Sequence, residues 1–140
     1  MESTMDVWKE FNDNEVTHSA AHHLLSILEL TEKRGYARVT DVAKFLEITT
    51  GSASTNLKSL KHKGLVVEDE NRFLSLSPEG KMLAEAILRR RAILQSFFIE
   101  ILQVSAEQAE RDACKTEHLF SRETTNKMVE FAKGYKNIKL

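Results

Sequence analysis

Apolar residues recur with a helical period along most of this chain and give way only once, near the middle, to short β-prone runs. From about Glu15 to Arg34, Ala20, Leu24, Ile27, Leu28 and Leu30 form a broadly helical apolar face, which Gly35 ends. Thr40 followed by Asp41, Val42, Ala43, Phe45 and Leu46 predicts a short N-capped helix. Ile48, Thr49 and Thr50 make a turn, after which Ala53, Leu57 and Leu60 at i, i+4 and i+7 predict a second short helix closed near Gly64. Two short helices joined by a tight turn constitute a helix-turn-helix candidate. Leu65 to Glu68 and Arg72 to Leu76 flank Asp69, Glu70 and Asn71, a pattern that predicts a hairpin, the wing. A long helix follows, with Ser77 as cap, Pro78 at the first helical position, and Leu83, Ile87, Leu94, Phe97 and Ile101 as its stripe. Ser105 with Gln108 resembles a capping box opening the next helix. Ser121 caps a last one, which carries Met128, Val129 and Phe131 and stops at Gly134, leaving a loose tail from Tyr135. The expected fold is mainly α with a small β-wing. Residues 1–76 form a winged helix-turn-helix domain, and residues 77–140 form an α-helical domain.

Composition narrows the class without changing that outline. The 140 residues include one proline and five glycines, which argues against a fibrous or disordered chain. No apolar run approaches the roughly 20 residues needed to span a bilayer, and the acidic start MESTMDVWKE is unlike a secretory leader. A cytoplasmic protein with no membrane partner is expected. The net charge of −1 hides an uneven distribution. Residues 1–32 hold seven acids against Lys9, and residues 92–140 balance seven against seven. Between them lie twelve cations (Lys33, Arg34, Arg38, Lys44, Lys58, Lys61, Lys63, Arg72, Lys81, Arg89, Arg90 and Arg91) against seven acids. A modestly basic middle fits a protein that touches phosphates locally without being a general polycation.

The densest chemistry lies near the C-terminus. On a helix, Cys114, Glu117 and His118 fall at i, i+3 and i+4, so a thiol, a carboxylate and an imidazole share one side. That donor set suits Fe(II), Zn(II), Co(II) or Ni(II) better than Mg or Ca, which prefer oxygen. A lone cysteine cannot form an internal disulfide, and taken by itself it reads as a small buried apolar residue. Its two neighbours within one turn favour the metal reading.

GYARVTDVAKFL, KGLVVEDENRFLSLSPEG and ACKTEH, in this order and spacing, resemble the diphtheria-toxin-repressor type of metal-dependent transcriptional regulators, including the shorter manganese-sensing branch. The resemblance runs from about Glu15 to Phe131. It implies a winged-helix DNA-binding domain followed by a helical domain for metal binding and dimerisation, with no room for the SH3-like domain of some members. Carried over by position, it implies a primary metal site of His22, Cys114, Glu117 and His118, with His22 where methionine or aspartate would be expected. His18 lies on the same helical face and is an alternative to His22. At the family's second site this chain has Arg91, Gln95 and Glu110, and a first-helix glutamate of the manganese branch is replaced by Leu25. A permanent cation thus stands at a ligand position, and an Arg91–Glu110 ion pair is expected there.

In the second short helix Gly51, Ser52, Ser54, Thr55, Asn56 and Lys58 give a small polar face able to approach a major groove. Lys58 and Lys61 would add phosphate affinity, Arg72 on the wing could reach a minor groove, and Arg38 and Thr40 complete the expected contact set. His62, among lysines, reads as solvated or phosphate-facing.

The expected protein is a homodimeric, metal-responsive regulator of double-stranded DNA. It is a repressor of metal-uptake or homeostasis genes rather than an enzyme, and is activated by a divalent transition metal. Fe(II) is favoured, with Zn(II) and then Mn(II) behind it. The competing reading is a metal-independent winged-helix factor whose C-terminal triplet is structural or vestigial. A remote one is a small metallo- or thiol-hydrolase with Cys114 as nucleophile, for which no oxyanion stabiliser is evident.

Overall fold

The computed structural model describes residues 17–117 and 119–134. Glu15, His118 and the tail from Tyr135, named above, lie outside the described residues. Among those described, six helices and one two-stranded antiparallel sheet divide by packing into two compact units, one ending at Ala86 and the other beginning at Ile87.

The first unit is built from α1 (His18–Arg34), α2 (Val39–Leu46), α3 (Thr50–His62), β1 (Val66–Glu68), β2 (Leu74–Leu76) and the opening turns of α4 (Pro78–Glu100). Thr17 caps α1 by accepting from the Ala20 N–H at 3.1 Å, and Gly35 closes it in the left-handed region at φ 84°. Helix α2 starts two residues earlier than the sequence suggests. Thr40 is not its cap; Asp41 reaches back to accept the Arg38 N–H at 2.8 Å, so Arg38 takes the N-cap position. Thr49 caps α3 by accepting from Ser52 N–H at 3.1 Å. The core gathers Leu24, Ile27, Val42, Ala53, Leu57, Leu60 and Leu74, all at most 1–2% exposed. Phe45, expected on the apolar face of α2, is instead 43% exposed.

In the hairpin, Val66 pairs with Leu76 and Glu68 with Leu74. Arg72 is not part of the strand. The Asp69 carboxylate accepts the N–H groups of Asn71 and Phe73, both at 2.9 Å, and this Asx turn holds Arg72 at φ 68°. The Leu74 N–H donates to the Ala37 carbonyl at 2.7 Å, which ties the wing to the segment between α1 and α2.

Burial pushes the Asp41 carboxyl up, but hydrogen bonds from the Arg34 guanidinium and the Arg38 N–H outweigh it, and the group is held below its ordinary value. A depressed folded-state pKa contributes stability above the unfolded value and loses it as pH falls through the folded one. Asp41→Asn is therefore expected to cost about 1 kcal/mol at neutral pH, the worth of a helix cap. Denaturation midpoints of variant and parent should converge in acid; a gap independent of pH would rule out the carboxylate as its source.

The second unit holds the rest of α4, then α5 (Ala106–Thr116) and α6 (Arg122–Lys133), capped by Ser105 and Ser121 as the sequence suggests. The Gln108 side chain bonds Asp112 at 2.9 Å rather than closing a reciprocal box. Ala109, Ala113 and Glu117 recur every four residues and are all buried, which defines the inner face of α5 and its C-cap. Phe97 of α4 and Phe131 of α6 stack with centroids 6.1 Å apart, although Phe131 remains 52% exposed.

Candidate functional site

The exposed side of α3 is polar because its apolar residues are spent inward. Ala53, Leu57 and Leu60 are buried, while Gly51, Ser52, Ser54, Thr55 and Lys58 are exposed. The Thr55 hydroxyl donates to the Gly51 carbonyl at 3.0 Å, and the Asn56 amide donates to the Ser52 carbonyl at 2.9 Å. Beside this face lies a concavity of about 460 Å³, lined by Arg38, Thr40, Ser54, Lys61 and Arg72, which the sequence singles out as contacts, together with Val39, Thr50 and Glu68. Lys61 is not a free phosphate contact in this arrangement, since its ammonium bonds Glu68 at 2.8 Å. The sequence reading also missed a cation–aromatic stack on the same unit. The Arg34 guanidinium lies 4.4 Å from the Tyr36 ring centre, the Arg38 guanidinium lies 4.4 Å from that of Phe73, and the two rings meet edge to face. Such stacking orients the Arg38 guanidinium and limits its rotamers. Only the spacing Arg34-x-Tyr36-x-Arg38 hinted at it.

In the same unit His18 and His22 stand one turn apart on α1, and their Nε2 atoms approach to 3.1 Å. Two nitrogens each bound at about 2.0–2.1 Å to one ion lie roughly 3.0–3.4 Å apart, so the pair fits a shared divalent ion once both rings are neutral. These rings line a cavity of about 330 Å³ with Ser19, His23, Leu46, Ile48 and Ser52. His23 is 2% exposed; its Nδ1 meets the Ser19 carbonyl at 2.7 Å, and its Nε2 is buried with no hydrogen-bond partner among the described residues. The cavity therefore joins the imidazole pair directly to the α2–α3 turn and to the first residues of α3.

In the second unit Cys114 is half-buried on α5, and Glu117 caps that helix in αR geometry, donating its N–H to the Ala113 carbonyl at 3.0 Å. Burial pushes the Cys114 thiol up; the Arg91 charge opposes this, and Glu117 and Glu110 add to it. Metal ligation there would have to displace a proton. Glu117 is 1% exposed and already engaged, its two carboxylate oxygens accepting from Arg91 Nε at 2.6 Å and Nη2 at 3.0 Å. Arg90 donates to the Glu117 carbonyl at 2.9 Å. The expected partner of Arg91 was Glu110. Arg91 instead takes Glu117, which is buried and needs a counter-charge where exposed Glu110 does not. Of the described candidates, the imidazoles and the thiol suit a soft or borderline divalent ion once unprotonated, and Glu117 suits one only in exchange with Arg91.

Comparison with known proteins agrees with this layout. Residues 15–74 match the family model "Iron dependent repressor, N-terminal DNA binding domain", and residues 77–137 match "Iron dependent repressor, metal binding and dimerisation domain". The chain is 30% identical over 105 residues to the HTH-type transcriptional regulator MntR of Lysinibacillus sphaericus, spanning 75% of each protein. It is 27% identical over 111 residues to the diphtheria toxin repressor of Corynebacterium diphtheriae, spanning 79% of this chain and 49% of that one. Among solved structures, IdeR of T. acidophilum superimposes with a TM-score of 0.67 at 21% identity, covering 81% of this chain and 53% of that one, and so shares the fold.

Proposed function

The chain belongs to the iron-dependent repressor family, and from that membership we propose that it is a homodimeric repressor whose hold on double-stranded DNA is tightened by a divalent transition metal. The observation that carries this reading is the adjacency, within the first unit, of a donor pair and a DNA-reading element. His18 and His22 share one cavity with Ile48 of the interhelix turn and Ser52 of α3. The ligands we assign are His22, with His18 beside it, in the first unit, and Cys114, Glu117 and His118 in the second. A divalent ion, when bound, would supply a positive centre to these donors. The residues of the chain do the rest. The imidazoles of His18 and His22 line the cavity beside the α2–α3 turn, and ligation would require unprotonated ring nitrogens and a thiolate at Cys114. Gly51, Ser52, Ser54, Thr55 and Lys58 approach the groove, with Arg38 and Arg72 flanking them. Family membership together with the donor types puts Fe(II) first and Zn(II) close behind it, and the thiol and imidazoles disfavour Mn(II), which suits oxygen-rich sites. The exposed apolar side chains Leu88, Leu102, Leu119 and Phe131 of the second unit support a homodimer, whose two-fold would present two α3 helices to successive grooves.

The test uses a duplex selected from a random pool by the metal-supplemented protein. Fluorescence anisotropy is then read anaerobically with Fe(II), Zn(II) or Mn(II) and again with chelator. Coupling of the usual size gives an affinity roughly 5- to 150-fold higher with metal. Lys58→Ala should lower the slope of log affinity against log salt by about 0.9, one phosphate contact. Equal affinity with metal and with chelator would remove the switch while leaving the DNA-binding fold intact. One observation favours a second reading, a winged-helix factor indifferent to metal: the guanidinium of Arg91 already satisfies Glu117. That reading predicts the chelator result.

A further inference from the structure

We propose that Arg91 is a built-in competitor for the metal, a resident cation that occupies Glu117 when no ion is bound and so sets the ion concentration at which the protein responds. The proposal rests on the metal-responsive reading above and concerns what opposes ligation. The Glu117 carboxylate is 1% exposed, and an ionised carboxylate so far from water is costly without a positive partner. Arg91 supplies it from α4 in a two-point grip, Nε on one oxygen at 2.6 Å and Nη2 on the other at 3.0 Å. The Glu117 backbone is meanwhile fixed at the C-terminus of α5, its N–H on Ala113 and its carbonyl on Arg90. With the backbone held by these two bonds, the change of partner falls to the carboxylate oxygens.

A divalent ion taking either oxygen must displace one Arg91 N–H or share the carboxylate with it. Both routes cost affinity, the first through a lost charge-assisted hydrogen bond and the second through repulsion between cations. The Arg91 charge also acts on Cys114, so the guanidinium stands within electrostatic reach of two assigned donors. An acceptor for the displaced head group lies on the same helix, since Glu110 attracts Arg91 already. The pair expected from sequence, Arg91 with Glu110, is thus the arrangement the chain can adopt after Glu117 changes partner. Exchange of one carboxylate between a side-chain cation and a metal gives a threshold tuned by an internal ligand.

The experiment titrates Co(II) anaerobically into full-length parent, Arg91→Met and Arg91→Lys, following the thiolate-to-cobalt charge-transfer band and, in parallel, thermal melting. Losing one charge-assisted bond to the carboxylate corresponds to roughly tenfold to hundredfold tighter Co(II) binding in Arg91→Met. Arg91→Lys, a point charge that cannot bracket both oxygens, should fall between it and the parent. Folded variants that develop the band at the parent's Co(II) concentration, or at a higher one, would overturn the competitor role alone. If Arg91→Met does not melt cooperatively, the Arg91→Lys comparison decides by the same criterion. A parent protein that shows no cobalt–thiolate band at any concentration would remove the metal-responsive reading itself, and with it the competition.

Discussion

Gly80→Ala is expected to destabilise the winged-helix unit by about 3 kcal/mol or more and to abolish DNA binding with it, the cost of overpacking against atoms that cannot turn aside. A Cβ at this position would stand 2.0 Å from the Leu65 carbonyl oxygen and 2.9 Å from its carbon, both backbone atoms. That oxygen is also committed, because it accepts the Ser77 N–H at 3.0 Å. Ser77 in turn accepts the Gly80 N–H at 3.0 Å and donates its hydroxyl to the Gly64 carbonyl at 2.6 Å. Pushing Leu65 away thus strains the junction at which the end of α3, the start of β1 and the start of α4 are stitched together. Gly51→Ala is the control. It lies in α3 with nothing within 4 Å of the added carbon, and replacing a helical glycine is worth up to about 1 kcal/mol in the favourable direction. Urea denaturation of both variants checks the contrast, and equal midpoints would show that the α4 start can back away from Leu65.

The difference between these two glycines marks what the sequence made legible. Features that depend on a side chain and a backbone group three or four residues away are readable in one dimension: Gly35 and Gly64 as stops, and Ser77 with Pro78, Ser105 and Ser121 as starts. The His18–His22 pair is of the same kind, since spacing i, i+4 on one helix is enough to bring two rings together. Asp41 was readable as an early helix residue, but its competition with Thr40 for the cap depended on which backbone N–H the carboxylate reached. Arg72 looked like part of a strand because its neighbours are β-prone; the Asp69 carboxylate claims the turn and leaves three residues on each side to pair. Partners remote in sequence left little signal. Lys61 loses its availability to Glu68 across the α3–β1 turn, Arg38 finds Phe73 on the wing, and Arg91 finds Glu117 on another helix. Charge counted along the chain overstates what the surface around α3 can offer a phosphate, because tertiary packing decides which cations are already neutralised.

That last pair carries the second large expectation, measured on the ion-free protein in chelator. Arg91→Met should cost about 3–5 kcal/mol, since it strands a buried carboxylate with no compensating cation. Glu117→Met should cost less, because the Arg91 side chain retains 23% exposure and can turn its charge toward water and Glu110. The double variant is expected to be more stable than Arg91→Met alone, with coupling in the range of about 0.5–3 kcal/mol, because two apolar side chains of similar volume replace two charges that each needed the other. Additive losses in chemical denaturation would mean that the two side chains contribute packing alone. Strong coupling would show that the Arg91–Glu117 bond stabilises the ion-free second unit, and under the competitor proposal stability in chelator and resistance to metal loading would then rise and fall together across a series of substitutions at position 91.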